Sequence, residues 1–262
     1  WLALREPADK AARDAGLLNM LAQTLRDGNP EGKRPPNLLD IGCGTGSTYR
    51  TLSPLLPKNT RWRLLDFDPA LLAEASARIG EDSPVEFSQF DLNNIDALPL
   101  AGTDVVTASA LFDLCSANFC DRFVGVLAPT GAGLYAALNY DGQMVWSVVH
   151  PLDAAVTADF NRHQRLDKGF GAALGPDSTH HLAGALSAFH YRVLTAESPW
   201  VLDERSAPLQ RELLEGIAIA VREIGELIPE KIEAWLTFRL EQADVPGSLC
   251  RIGHQDLLAL PG

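Results

Sequence analysis

A chain of 262 residues, 46% of them hydrophobic, is long enough to bury one large α/β core or two small ones. Its formal net charge of −12, with no run of Lys and Arg, argues against a protein that grips nucleic-acid phosphates or docks on an anionic membrane. The same balance suits a soluble protein acting on a small molecule.

The first helix is expected over residues 6–28. Pro7 suits a first helical turn, and Glu6 and Asp9 lie where the helix dipole favours acids. Ala11, Ala15, Leu18, Ala22 and Leu25 share one face, and Gly28 ends the element. Residues 29–36 read as a polar, Pro-rich connection. Strands and helices then alternate. Strands are expected at 37–41, 61–66, 85–90, 103–109 and 131–140, with helices at 48–55, 69–79 and 117–128 between them. That rhythm implies βαβ units and a parallel sheet.

The rhythm breaks after Tyr140. Residues 141–178 carry Gly, Pro, aromatics, His and charges without a clean strand, and read as a partly helical excursion. Segments of this kind are usually lids or binding loops, and otherwise mere insertions. A helix is expected at 179–191 and a strand with its tail at 191–202. Two amphipathic helices follow at 208–227 and 229–244, and a last strand at 248–261.

Cys43, Cys115, Cys120 and Cys250 form no C-x-x-C pair, so neither a zinc site nor a disulfide framework is indicated, and a reducing cytoplasm is the default. His180 and His181 adjoin without a third ligand at helical spacing, so no metal is expected. No apolar run reaches the length of a membrane span. The opening stretch WLALREPADK lacks the apolar core of a signal peptide. It starts on Trp1 rather than Met, which leaves room for residues ahead of it.

The chemistry gathers at LLDIGCGTGS, residues 38–47. A strand entering Gly42, Gly44 and Gly46 and then a helix is a nucleotide-type loop. Glycine lets backbone approach a ligand, and the helix start offers free N–H groups. The spacing departs from the dinucleotide pattern G-x-G-x-x-G, because Ser47 stands where the third glycine belongs. Asp40, just before the loop, suits a positively charged ligand better than a pyrophosphate. Asp66 follows about twenty residues on, where a ribose ligand is expected, with Phe67 beside it to lie on a base. Asp91 ends the next strand and can accept from an exocyclic amine. Each acid has a plainer reading, Asp66 as a helix cap and Asp91 as a turn residue.

Together, LLDIGCGTGS, LLDFDP, SQFDL and DVVTASALFDL, in this order and spacing, resemble the class I S-adenosylmethionine-dependent methyltransferases over residues 38–139. The resemblance implies a doubly wound, mostly parallel seven-stranded α/β sheet of the Rossmann-like type, its final strand antiparallel. It implies a single domain over 1–262, with an N-terminal helix and a lid insertion at 141–180. S-adenosylmethionine would be the cofactor. Asp40, Gly42, Gly44 and Gly46 would line its methionine part and Asp66 its ribose, with Phe67 beside the adenine. Asp91 and Leu92 would meet the adenine edge, and Ser109 would lie under the sulfonium. Arg5 or Arg13 could meet its carboxylate, or form surface ion pairs.

The activity so implied is methyl transfer to an oxygen or nitrogen of a small polar acceptor, with neither nucleic acid nor membrane as partner. Acceptor contacts are expected at the ends of strands four and five, from Asp113, Tyr140 and Asp141. The lid adds His150, Asp153, His163, Gln164, Asp167 and Lys168. Asp113, His150 and His163 are the candidates to take a proton, although Asp113 also reads as a helix N-cap. Two other classes stay open: a nicotinamide-dependent oxidoreductase, and a non-catalytic cofactor-binding protein of the same fold.

Overall fold

The computed structural model describes residues 1–28, 34–80 and 82–262, so most of the connection expected at 29–36 lies outside the described residues. The chain begins with helices α1 (Leu2–Ala12) and α2 (Ala15–Asp27), where the sequence reads as one. The break has a local cause. Asp14 caps α2, its carboxylate accepting from Leu17 N at 2.7 Å, while its own N–H goes to Asp256 Oδ2 at 3.1 Å instead of up a helix. Arg13 is left extended between the two helices.

The expected alternation follows: β1 (Asn37–Ile41), α3 (Ser47–Leu52), β2 (Arg61–Asp66), α4 (Pro69–Ile79), β3 (Val85–Gln89), β4 (Val105–Ser109), α5 (Ala117–Leu127) and β5 (Gly133–Trp146). Asp68 caps α4 through Ala70 N at 2.8 Å, with Pro69 in its first turn. β5 outruns its expected end at Tyr140. The Asp141–Gly142–Gln143 stretch that looks like a terminating turn is a bulge, with Gly142 at φ +88°. It adds residues to β5 between the Tyr140–His254 and Met144–Ile252 pairs.

The rest is α6 (Asp153–Gln164), α7 (Ser178–Ala188), β6 (Arg192–Glu197), β7 (Trp200–Leu202), α8 (Ala207–Ile224), α9 (Pro229–Gln242) and β8 (Cys250–Leu260). The single strand expected at 191–202 is thus two, split at Ser198 and Pro199. The sheet therefore has eight strands among the described residues, not seven. Seven run in the order β3-β2-β1-β4-β5-β8-β6, and short β7 pairs with the outer end of β8. β1 to β5 are parallel, and β8 is antiparallel to β5, β6 and β7.

One apolar cluster fills the α5–α7 face of the sheet and another the α2–α3 face. A third, around Trp146, Trp200, Ile217 and Trp235, lies where β5 and β8 run on beyond the parallel strands. Helices α6, α8 and α9 pack there. The order of winding reverses between β1 and β4, so the crevice at their carboxyl ends is the switch point where such sheets bind ligands. Among the described residues no helix is long and apolar enough to cross a membrane.

Candidate functional site

β1 delivers the chain into a loop whose three glycines all have positive φ: Gly42 at +62°, Gly44 at +54° and Gly46 at +79°. Gly46 is the left-handed cap of α3. A side chain at these positions would be strained, so the sequence keeps the loop bare. The loop is stitched to β2: Cys43 N–H donates to Leu65 O at 2.9 Å, and Gly44 N–H to Asp66 Oδ2 at 2.8 Å. Asp66 Oδ1 accepts from Asp68 N at 3.0 Å. The carboxylate therefore holds loop and helix start together at the tip of β2.

Beneath the loop lies a set of buried polar atoms with incomplete bonding. Asp40 is 1% exposed; its Oδ1 accepts from Thr107 Oγ1 at 2.6 Å, and its Oδ2 has no partner. Burial raises its carboxyl to about 7, against the pull of Thr107 and Arg13. Arg13, 5% exposed, reaches Ser109 Oγ at 3.1 Å and Thr48 Oγ1 at 3.4 Å, leaving Nε and Nη1 unpartnered. On β5, Asn139 is 1% exposed with neither amide atom bonded. Buried atoms of this kind are rare and ask for a ligand or water. The loop, the acid and the cation together can hold a zwitterionic, sugar-bearing group such as a sulfonium nucleoside.

The remaining expected contacts sit at the tips of β2 and β3, which pair as Asp66↔Gln89. Phe67 is 66% exposed and free to take a ring on its face. Asp91 accepts from Asn93 N at 2.9 Å, and Leu92 behind it is buried.

Sequence reasoning missed what covers this crevice. Helix α1 lies across the loop, and Leu2 Cδ1 would stand 3.6 Å from a Cβ at Gly44. Glu6 pins the helix there, accepting from Arg50 Nε and Nη2 at 2.7 Å each and facing Arg78 at 3.6 Å. The Arg50 hydrogen bonds hold the Glu6 carboxyl below its usual value.

Beside the crevice, at the ends of β4 and β5, is a cavity of about 280 Å³. It is lined by Trp1 and Arg5 of the α1 end, Ala110 and Asp113 beyond β4, Leu138, Tyr140 and Met144 of β5, and by Phe160, Gln164, Trp200, Leu213, Ile252 and His254. Ala110 at φ +51° and Leu138 at φ +57° are strained non-glycine residues, and both line it. Asp113 is buried with Oδ1 unpartnered, and burial raises it to about 6. His254, held neutral by burial and by Arg5, drops to about 3.

Of the three proton-taking candidates, only Asp113 lines this cavity. His150 turns inward on its own loop, Nδ1 accepting from Leu152 N at 3.2 Å and its ring 4.9 Å from Phe238. His163 lies 2.9 Å from Glu223 and 3.2 Å from Lys168, lining a neighbouring cleft. Within 141–180, Phe160 and Gln164 face the cavity. Asp141 braces the β5 bulge through Gln143 N, Asp167 braces a turn through Gly169 N, and Asp153 holds Trp235 and Arg239. Arg13 meets the crevice; Arg5 instead pairs with Asp9 at 2.9 Å and lies over Trp200. His254, Trp200, Phe160, Trp1 and Asn139 went unread. The signal for His254 was there: "HQD" interrupts an otherwise apolar last strand. No group of three or more metal-ligating side chains occurs among the described residues.

Comparison with known proteins gives three similarities. Residues 39–132 match a family model described as a methyltransferase domain. The malonyl-[acyl-carrier protein] O-methyltransferase 1 of Ilyobacter polytropus is 26% identical over 115 residues, 44% of this chain; the match spans only 38% of that relative's length. The YcgJ protein of Bacillus subtilis superposes with a TM-score of 0.53 at 16% identity, covering 95% of this chain and 100% of that one.

Proposed function

From the premise that this chain belongs to the class I S-adenosylmethionine-dependent methyltransferase family, we propose that it transfers a methyl group to an oxygen or nitrogen of a small molecule held in the cavity beside the glycine loop. S-adenosylmethionine is the cofactor, and it supplies a methyl group already activated on a positively charged sulfur. The observation that carries the reading is the set of buried, unpartnered atoms of Asp40, Arg13 and Asn139 around that loop.

The protein's share is alignment and exclusion of water, which can contribute up to ~7–11 kcal/mol in ideal geometries. Gly42, Gly44 and Gly46 admit the cofactor to the backbone, Asp40 faces its positive end and Arg13 its carboxylate. Asp66 holds the ribose, Phe67, Asp91 and Leu92 bracket the adenine, and Ser109 lies near the sulfur. Asp113 is the general base, ionised near neutrality and buried at the acceptor's side. The whole chain acts as one domain, and residues 141–180 cover the acceptor through Phe160 and Gln164. Four unpaired, buried cysteines suit a cytoplasmic protein.

Isothermal titration with S-adenosylhomocysteine tests the reading. Micromolar binding is expected for the native chain, with a loss of at least ~10-fold in Asp66→Ala, since the carboxylate both binds and positions the loop. No heat with that ligand, or tighter binding of NAD, refutes it.

A further inference from the structure

Several donors of the acceptor cavity are already engaged, although the Gln164 amide and Arg5 Nη1 have no partner among the described residues. Arg5 gives Nε and Nη2 to Asp9 at 2.9 and 3.2 Å, Trp200 Nε1 donates to Asp9 Oδ1 at 3.0 Å, and the Tyr140 hydroxyl donates to Asn161 Oδ1 at 2.9 Å. Two buried polar atoms are left open. Asp113 Oδ1 and His254 Nδ1 are unpartnered, on side chains only 7% and 6% exposed, and both residues line the cavity. The imidazole is neutral, so Nδ1 accepts in one tautomer and donates in the other. A buried acceptor without a donor is destabilising, so a ligand bringing N–H groups recovers that loss. An anionic headgroup would instead meet the Asp113 carboxylate, with the Arg5 charge already balanced by Asp9.

We propose that the acceptor is an apolar primary amine, one N–H held by Asp113 and the other by His254 Nδ1 in its accepting tautomer, its carbon skeleton lying against Trp1, Phe160 and Trp200, with nitrogen the atom methylated. This rests on the methyl-transfer reading above and narrows it. The nitrogen lone pair forms the new N–C bond as the donor's C–S bond breaks, its electrons staying on sulfur. The N–H proton passes to the Asp113 carboxylate and from there to solvent. An alcohol of the same shape offers one O–H where two acceptors wait, so it leaves one orphaned.

The test is titration of the chain saturated with S-adenosylhomocysteine against three probes of matched shape: phenethylamine, 2-phenylethanol and 3-phenylpropanoate. The amine is expected to bind at least ~10-fold tighter than the alcohol, and the acid not to bind. Asp113→Asn should bring the amine to the alcohol's level, and His254→Phe should narrow the gap. Both variants should keep S-adenosylhomocysteine affinity within ~2-fold, which also reports that they fold. Equal or tighter binding of the alcohol or acid, no binding of any probe, or an amine preference that survives Asp113→Asn overturns the proposal. Failure of S-adenosylhomocysteine itself to bind would instead refute the methyl-transfer reading.

Discussion

Asp113→Asn is expected to make the ligand-free protein more stable at high pH while removing its turnover. Burial raises the Asp113 carboxyl from 3.8 to about 6. Between those values the folded chain holds a proton that the unfolded chain has lost, so stability falls as pH rises through that window. At ~1.4 kcal/mol per unit, the ionised side chain costs roughly 3 kcal/mol at pH 8 and nothing below about pH 3.5. About half of that cost, roughly 1.5 kcal/mol, develops between pH 5 and pH 8. An asparagine never ionises, but its amide leaves an unpartnered group costing ~1 kcal/mol at every pH. The pH dependence of the difference is therefore the clean quantity. Asp40, raised to about 7, pushes stability the same way in both proteins and cancels. For a chain of this size the variant's midpoint should gain roughly 3–6 °C on the native protein between pH 5 and pH 8. Thermal melts at the two pH values measure it. Turnover should fall ~100-fold or more if the carboxylate takes a proton in the reaction. Parallel pH–melting curves for the two proteins would show that Asp113 carries no buried charge, and the argument would fail.

Two further outcomes follow from the covering helix and the core. Glu6→Gln removes the charge and one of the two 2.7 Å bonds to Arg50 that pin α1 across the glycine loop. Because these groups are partly exposed, stability should change by less than ~1 kcal/mol, while stopped-flow release of S-adenosylhomocysteine should accelerate; unchanged release would mean that α1 does not gate the crevice. Asp256→Ala removes a fully buried acceptor of Tyr135 OH at 2.8 Å, Leu138 N at 2.9 Å and Asp14 N at 3.1 Å. Urea unfolding should show a loss of ~3–5 kcal/mol, and a loss below ~1 would contradict this account.

The glycine-loop half of the candidate site was legible because its determinants are local. β1 to β4, the loop glycines and the acids at the strand tips lie within one stretch, where periodicity and turn chemistry agree with the final fold. The misreadings have long-range causes. The break between α1 and α2 depends on Asp256, 242 residues away from Asp14 in sequence. The bulge that carries β5 onward is held open across the ladder, because the Asp141 carboxylate fills the space a side chain at Gly253 would need. The acceptor cavity draws on α1, β5, α6, β7, α8 and β8, so no window of sequence contains it. Leu2 lies ahead of the expected helix and Glu6 reads as an ordinary first-turn acid, and only packing shows that they sit over the loop.

The two half-sites are joined by strain. Ala110 and Leu138, at the ends of β4 and within β5, hold positive φ that costs a non-glycine residue ~1–3 kcal/mol. Each is held by a bond from elsewhere: Ala110 N–H to Ala137 O at 2.9 Å, and Leu138 N–H to Asp256 Oδ1 at 2.9 Å. Asp256 also fixes the start of α2 through Asp14, and so the position of Arg13 in the crevice. One buried carboxylate on the last strand thus sets both the Arg13 cation in the crevice and the irregularity of β5 beside the cavity. Loosening it should disturb both ligands together, whereas changes at Asp113 or Glu6 should affect one side at a time. A double-mutant cycle between Asp256→Asn and Arg13→Lys, read by S-adenosylhomocysteine affinity, would give a coupling of ~0.5 kcal/mol or more if this linkage holds, and simple additivity if it does not.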